Sequence, residues 1–194
     1  MHIRNTSEEY GWFAKALHWL IAIIVIVLIA IGWYTSGLSN ESVLYWRLLD
    51  LHELVGLTLL LLFPLKLVWM VISPNPDYLP TLAMWERGAA TTVRWLLIVA
   101  ILLIPLSGFF YVATNGEDVS LYGLITIPDL GQLDERLRDR LSDVHYYGSY
   151  SCAVLVVIHS LAAFKHHWID RDATLRRMSF SSGAVPSTNC GAPE

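Results

Sequence analysis

The sequence predicts an all-α membrane protein, a bundle of four transmembrane helices. Hydrophobic residues make up 55% of the 194 residues and charged residues only 15%, which is too apolar for an ordinary soluble domain of this length. The apolar residues form blocks about as long as the 20 residues that a helix needs to cross a bilayer. Four spans are predicted, at residues 18–36, 52–73, 92–114 and 145–165. We expect one membrane domain over 1–178 and a disordered tail, rich in Ser, Gly and Pro, over 179–194.

The basic residues predict how the chain is oriented. If the N-terminus is cytoplasmic, nine basic residues lie at or near the inner side and four lie outside. This excess fits the positive-inside rule, so both termini are expected to be cytoplasmic. The outer segments also carry ten acidic residues against their four arginines, which gives the outer face a net charge near −6. The four outer basic residues are Arg47, Arg136, Arg138 and Arg140.

The N-terminal segment does not resemble a signal peptide. Glu8 and Glu9 occupy the region where a signal peptide would be basic, so the first span is expected to be retained. Pro64 in the second span and Pro105 in the third should kink their helices. The kink at Pro105 either opens a cleft for a quinone or is a simple bend.

Two loops join the later spans. The inner loop has three prolines, and Thr91 or Thr92 is expected to cap the third helix. In the longer outer loop, the segment LYGLITIPDL is apolar enough to lie at the membrane interface. The following segment LDERLRDRLSDV has leucines at every fourth position, which predicts an amphipathic surface helix leading into the fourth span. A lid that controls access to a redox site is the alternative reading.

Four of the seven histidines lie at the ends of spans. His145 and His159 are fourteen residues apart, just under four helical turns, so they point to nearly the same side with an axial separation of about 21 Å. His18 begins the first span at the inner side, level with His159. His52 begins the second span at the outer side, level with His145. Direction and helical rise therefore predict two pairs, one in each half of the membrane.

A single histidine at a span end is often an interfacial anchor or a hydrogen-bonded packing residue. Two pairs matched in depth favour a shared partner instead, because intramembrane ionisable residues are costly and tend to face the bundle interior. The partner that suits neutral imidazoles from opposite helices is a haem b, whose iron accepts one nitrogen on each face. By contrast, His166 and His167 at the exit of the fourth span look interfacial.

A flat cofactor between helices needs small residues, and its carboxylates need cations. Gly32 is fourteen residues after His18, and Gly56 and Gly148 are each one turn from a histidine. Glycines are equally typical of ordinary contacts between membrane helices. Lys66 and Arg94 are candidates for the propionates of the inner haem, with Arg47 and Tyr45 as outer counterparts. Lys66 and Arg94 are also well placed to extend towards lipid headgroups.

Several segments together resemble the prokaryotic cytochrome b561 family. They are ALHWL, LHELVG, IPLSGFFYVATNGEDVSLYGL and DVHYYGSYSCAVLVVIHSLAAFKHHWIDRDATLRRM, in the family's order, and the similarity covers about residues 14–178. The resemblance implies a four-helix bundle that encloses two haem b groups in the bacterial inner membrane and exchanges electrons with ubiquinone. Carried over by position, it implies an inner haem held by His18 and His159 and an outer haem held by His52 and His145.

The resemblance implies more than one role. One branch of the family oxidises superoxide and reduces ubiquinone, so this chain, if an enzyme, is expected to be a quinone-linked oxidoreductase. The acidic outer face opposes that substrate, because superoxide is an anion that a positive surface would attract. Many relatives also have histidines near the start of the third span, where this chain has TTVRW. This departure puts in doubt any quinone or proton role assigned there.

Two alternatives remain open at this point. The chain resembles the cytochrome b subunits that anchor hydrogenase-like dehydrogenases, which would share all four ligands and add a protein partner. From another class, a small transporter or scaffold would use the histidines to bind a metal ion or relay protons. The expected partners are membrane lipid, ubiquinone and an electron donor that is either superoxide or a redox protein, with no nucleic acid.

Overall fold

The computed structural model of the chain describes residues 2–116 and 118–180 and consists mainly of long helices. Four of them are long and apolar enough to cross a membrane, which confirms the predicted helical membrane architecture. Residues 181–194 lie outside the described residues, and with them Cys190 and nearly all of the tail predicted as disordered. The long helices are α1 (Trp12–Ser36), α2 (Val43–Ile72), α3 (Met84–Ala113) and α4 (Glu135–Phe164). A π-helical turn (Lys165–Ile169) and a short helix α5 (Thr174–Met178) follow.

Each long helix begins before its apolar block. Hydropathy marks the part of a helix that suits lipid, whereas backbone hydrogen bonding continues into the charged flanks. The predicted cap of the third helix is wrong, because α3 already begins at Met84 and the Glu86 carboxylate accepts a hydrogen bond from the Ala83 N–H at 3.0 Å. Thr91 instead lies inside the helix, where its hydroxyl donates to the Arg87 carbonyl. The amphipathic segment after Asp134 forms the first turns of α4 itself.

A small β-hairpin follows α3 in the segment predicted to lie at the interface. Strands β1 (Val119–Leu121) and β2 (Ile125–Ile127) pair antiparallel. Tyr122 and Gly123 have φ angles of 53° and 68°, the left-handed conformation that a tight turn uses. The Tyr122 hydroxyl lies 3.0 Å from the Thr58 hydroxyl, which joins the hairpin to α2. Strands of three residues are too short to show an alternating pattern, and the sequence therefore did not reveal them.

The helices pack in chain order, α1 on α2, α2 on α3 and α3 on α4. The backbone of α4 makes few close approaches to α1 and α2, so α4 is more widely separated from the first two helices than from α3. Buried apolar residues from α1, α2 and α4 fill the middle of the bundle: Ile21, Val25, Leu59, Phe63 and Cys152.

One end of the bundle, the termini side, has the start of α1 and the end of α4. The other end, the hairpin side, has the β-hairpin.

Both chain ends fold back over the termini side. The Asn5 side chain donates to the carbonyls of Ser73 and Pro74 at 2.9 and 3.1 Å, and accepts from the Gly11 N–H at 2.9 Å. From the other end of the chain, the Met178 carbonyl accepts from the Trp19 indole at 2.9 Å. These contacts fix the loop after α2 and the segment after α4 against the start of α1.

Candidate functional site

Two pairs of histidines span the space beside α4. The rings of His18 and His159 have centroids 6.2 Å apart, and those of His52 and His145 are 5.9 Å apart. The first pair joins α1 to α4 on the termini side, and the second joins α2 to α4 on the hairpin side. The structure thus brings together the same two pairs that direction and rise predicted.

The tautomer of the His145 imidazole follows from its hydrogen bond. Its Nδ1 lies 2.9 Å from the carbonyl oxygen of Ile104 on α3. A carbonyl oxygen only accepts, so Nδ1 carries the proton and Nε2 keeps its lone pair free. Metal-bound histidines are commonly oriented in this way. The Nδ1 of His52 is buried and has no hydrogen-bond partner among the described residues.

Two glycines make room for the hairpin-side pair. A Cβ added at Gly108 would lie 2.8 Å from both Cε1 and Nδ1 of His145, closer than real contacts allow. A Cβ added at Gly32 would lie 3.3 Å from Cε1 of His52. Gly108 is therefore required for the ring of His145 to reach the Ile104 carbonyl. Sequence reasoning missed it, although it stands three residues after Pro105 in the quoted segment IPLSG.

The other two predicted glycines face neighbouring helices. A Cβ at Gly148 would meet the side chain of Ile104 on α3 at 3.0 Å, and one at Gly56 would first meet Leu28 on α1 at 4.0 Å. Neither glycine has a histidine among the nearest atoms at its Cβ position. These two placements favour the alternative that the glycines serve helix packing.

Each of the four long helices contributes two residues, a histidine, glycine or cation, that are fourteen residues apart. The eight residues together form two layers. The spacing corresponds to about 21 Å of helical rise. The hairpin-side layer consists of Gly32, His52, Gly108 and His145. The termini-side layer consists of His18, Lys66, Arg94 and His159. The buried apolar cluster, with Phe63 only 1% exposed, separates the two layers.

The termini-side layer has cations where the other layer has glycines. Lys66 interacts electrostatically with His18 across α1 and α2. Arg94 lies near Tyr10, and burial raises the pKa of the Tyr10 phenol while the Arg94 guanidinium opposes that shift. The Arg94 Nε and the indole Nε1 of Trp69 are both buried without an acceptor among the described residues. Sequence reasoning did not single out Trp69 among the eight tryptophans of the chain.

An ion-pair network lies beyond this layer, where the sequence indicated interfacial histidines. The Lys165 ammonium is 2.7 Å from carboxylate oxygens of both Glu86 and Asp170. His166 Nδ1 lies 2.9 Å from Asp170 and 2.8 Å from Asp172. Glu86, His166 and Asp170 also offer ligand atoms within 4.8 Å of one another. Because the Lys165 ammonium already binds both carboxylates, this group is better described as an ion-pair network than as a metal site.

A pocket of about 470 Å³ opens on the hairpin side, one turn beyond His145. Its lining is mostly polar and includes Arg138, whose guanidinium lies 5.1 Å from the ring centroid of Tyr111. A polar pocket does not suit a quinone ring, and the pocket does not extend to Pro105. Arg47 and Tyr45, the predicted outer counterparts of Lys66 and Arg94, lie near the start of α2, where Arg47 is exposed.

Known proteins resemble the chain over most of its length. The prokaryotic cytochrome b561 family matches residues 9–181. The chain is 34% identical to cytochrome b561 homolog 2 of Escherichia coli (strain K12) over 178 residues, covering 92% of this chain and 95% of the relative. It is 25% identical to the probable superoxide oxidase CybB of Yersinia pestis, over 88% and 96% of the two chains. Cytochrome b561 homolog 1 of Escherichia coli (strain K12) is 26% identical, over 84% and 92%.

The match and the fold agree with the expectations from the sequence. Four membrane-spanning helices in a chain of this family indicate a multi-pass protein of the bacterial inner membrane. The family also implies haem b as the cofactor. Family match, helical architecture and overall identity together establish that the chain belongs to the prokaryotic cytochrome b561 family of membrane electron-transfer proteins.

Proposed function

We propose that the chain carries electrons across the bacterial inner membrane by means of two haem b groups. His18 and His159 would hold the termini-side haem, and His52 and His145 would hold the hairpin-side haem. The single observation that carries this proposal is the pair of centroid separations, 6.2 and 5.9 Å, across the space beside α4. A first-row metal binds an imidazole nitrogen at about 2.0–2.1 Å. Two such bonds, together with the distance from each nitrogen to the centre of its ring, would separate the two ring centroids by about 6 Å.

The residues around the histidines also suit this cofactor. The Ile104 carbonyl keeps the proton of His145 on Nδ1, so the free lone pair of Nε2 is available to iron. Lys66 and Arg94 are the residues best placed to bind the carboxylates of the termini-side haem, since Arg94 has a buried donor without an acceptor in the described structure. Gly56 and Gly148 would contribute by close helix packing rather than by direct contact with the cofactor, whereas Gly32 would leave room for the ring of His52.

Bound haem supplies one-electron chemistry, and histidines on both of its faces would leave no iron position open for oxygen. The protein's residues hold the two centres on opposite sides of the apolar cluster and exclude water between them. We place the termini on the cytoplasmic side, because the positive charge of the chain is concentrated there. The hairpin side would then face outward.

Ubiquinone is the proposed partner in the lipid phase, where a quinone would reach the bundle directly. A relative that is named a probable superoxide oxidase makes superoxide one candidate donor. The ten acidic residues of the outer segments oppose an anionic substrate and favour a redox protein as the other candidate. A membrane-anchor subunit for a separate dehydrogenase would use the same haems and would co-purify with that partner.

The test is a set of four variants, in which His18, His52, His145 and His159 are each changed to alanine. Haem content is measured as the haem-to-protein ratio, and low-spin centres are resolved by EPR and optical redox titration. Each variant should lose one of two centres, and variants of one pair should lose the same centre. His167→Ala, at the exit of α4, is the matched control and should keep both. Loss of the same centre in His18→Ala and His145→Ala would contradict the pairing, and a wild-type protein without haem would favour a transporter or scaffold.

A further inference from the structure

The two layers differ in formal charge although they share the same geometry. Both offer two histidines, but the remaining positions are Lys66 and Arg94 on the termini side and Gly32 and Gly108 on the hairpin side. The termini-side layer therefore carries two positive charges that the other layer lacks.

No carboxylate of the described residues forms a salt bridge with either of these two cations. Among the residues that the structure describes, every salt bridge involves Lys165 or His166, and none involves Lys66 or Arg94. The buried Nε of Arg94 and Nε1 of Trp69 are further donors at this end that have no acceptor in the described part of the chain. The termini side is thus arranged to favour added negative charge.

Charge on the hairpin side has the opposite sign. The connections from α1 to α2 and from α3 to α4, together with the adjoining first turns of α2 and α4, contain ten acidic residues against four arginines. One of those arginines, Arg138, lies over the Tyr111 ring, where its guanidinium is 5.1 Å from the centroid. An electron placed on the hairpin-side centre would therefore be near more negative than positive charge.

We propose that Lys66 and Arg94 give the termini-side centre the higher midpoint potential, so that an electron shared by the two centres resides mainly on the termini side. The inference rests on the proposed function, because it requires a haem in each layer. Coulomb attraction falls with distance and is weakly screened inside a membrane protein. Cations in one layer therefore act much more strongly on that layer than on one about 21 Å away.

The electron transfer is internal and balanced. With haem bound, the centre held by His52 and His145 would lose the one electron that the centre held by His18 and His159 would gain, and no bond or proton would move. Electrons delivered on the hairpin side would thus run towards the positively charged end of the bundle. The Phe63 ring and its apolar neighbours separate the two centres without taking part as carriers.

The experiment is an optical redox titration of the purified protein in detergent, with each wave assigned by its absence from His18→Ala or His52→Ala. In the wild type we expect the electron to favour the termini-side centre at least tenfold, which is about 59 mV for a one-electron couple. Lys66→Met and Arg94→Met should each lower the termini-side potential and leave the hairpin-side potential unchanged. Lys66→Arg and Arg94→Lys should keep the termini-side potential of the wild type, and Arg136→Met, at an exposed cation in the first turn of α4, should change neither centre.

The outcomes separate this inference from the proposed function. Two haem centres with equal or reversed potentials would overturn the inference and leave the proposed function standing. Equal shifts of both centres in Lys66→Met and Arg94→Met would also overturn it. A preparation without two centres would contradict the proposed function itself. If the methionine variants do not retain haem, the ordering in the wild type still decides the question.

Discussion

Replacement of Gly108 by alanine tests the site most directly, because it adds one methyl group against a proposed ligand. The new Cβ would lie 2.8 Å from Cε1 and Nδ1 of His145, whereas ordinary contacts begin at 3.4 Å, so the ring must move by roughly 0.6 Å. That displacement breaks the 2.9 Å hydrogen bond to the Ile104 carbonyl. A buried donor left unsatisfied costs about 1–3 kcal/mol.

The expected change in stability has the opposite sign to that of an ordinary glycine-to-alanine substitution in a helix. Replacing glycine by alanine in the interior of a helix stabilises it by about 0.5–1 kcal/mol. Gly88 lies on the same helix, and no atom of another described residue comes within 4 Å of its Cβ position, so Gly88→Ala should raise the thermal unfolding midpoint. Gly108→Ala should lower it and weaken the hairpin-side haem spectrum. Gly32→Ala, with its 3.3 Å contact to His52, should fall between them.

The assay combines thermal unfolding followed by circular dichroism with EPR of the two low-spin centres, for all three variants in the same detergent. The termini-side centre serves as an internal reference, because Gly108 is about 21 Å of helical rise from that layer. A Gly108→Ala protein with both signals and the midpoint of the wild type would refute the geometry described for His145.

Two further predictions concern the termini side. Asn5→Ala removes three side-chain hydrogen bonds, to Ser73, Pro74 and Gly11, and should lower the free energy of unfolding by about 1–3 kcal/mol in the same thermal assay. Burial raises the pKa of Asp172, but hydrogen bonds from Thr174 and His166 outweigh it and hold the pKa below its usual value of 3.8. The stability that these bonds contribute is therefore present above that value and lost as the pH falls through the lower, folded-state pKa. Asp172→Asn should abolish this acid-dependent loss, and an unchanged pH profile would contradict it.

The sequence predicted the four helices and the two histidine pairs because both follow from properties of single helices. Hydropathy marks the length of a span, and helical rise gives the depth and face of a residue such as His159 relative to His145. Neither property depends on knowing how the helices pack. The pairing of His18 with His159 then needed only the alternating direction of the spans.

What the sequence did not reveal depends on distances between helices. Gly108 matters because it lies against a ring from α4, and the Ile104 carbonyl accepts a hydrogen bond from that same ring. Every residue has a backbone carbonyl, so the sequence does not indicate which carbonyl accepts a hydrogen bond from a side chain. Gly148 was predicted to be near a cofactor, yet its open face meets Ile104. The sequence does not predict which neighbouring side chain a glycine faces, because that depends on how the helices pack.

The fourteen-residue spacing within every long helix has a consequence for how this bundle tolerates change. Fourteen residues are two heptads, the interval at which a position returns to the same seam of a left-handed helical bundle. A single residue inserted between Arg94 and Gly108 would rotate one of them about 100° away from the interior. An insertion of seven residues would keep both facing inward but would move them about 10.5 Å further apart. Length changes in whole heptads, made in all four helices together, are therefore the route by which such a bundle lengthens while keeping two complete layers.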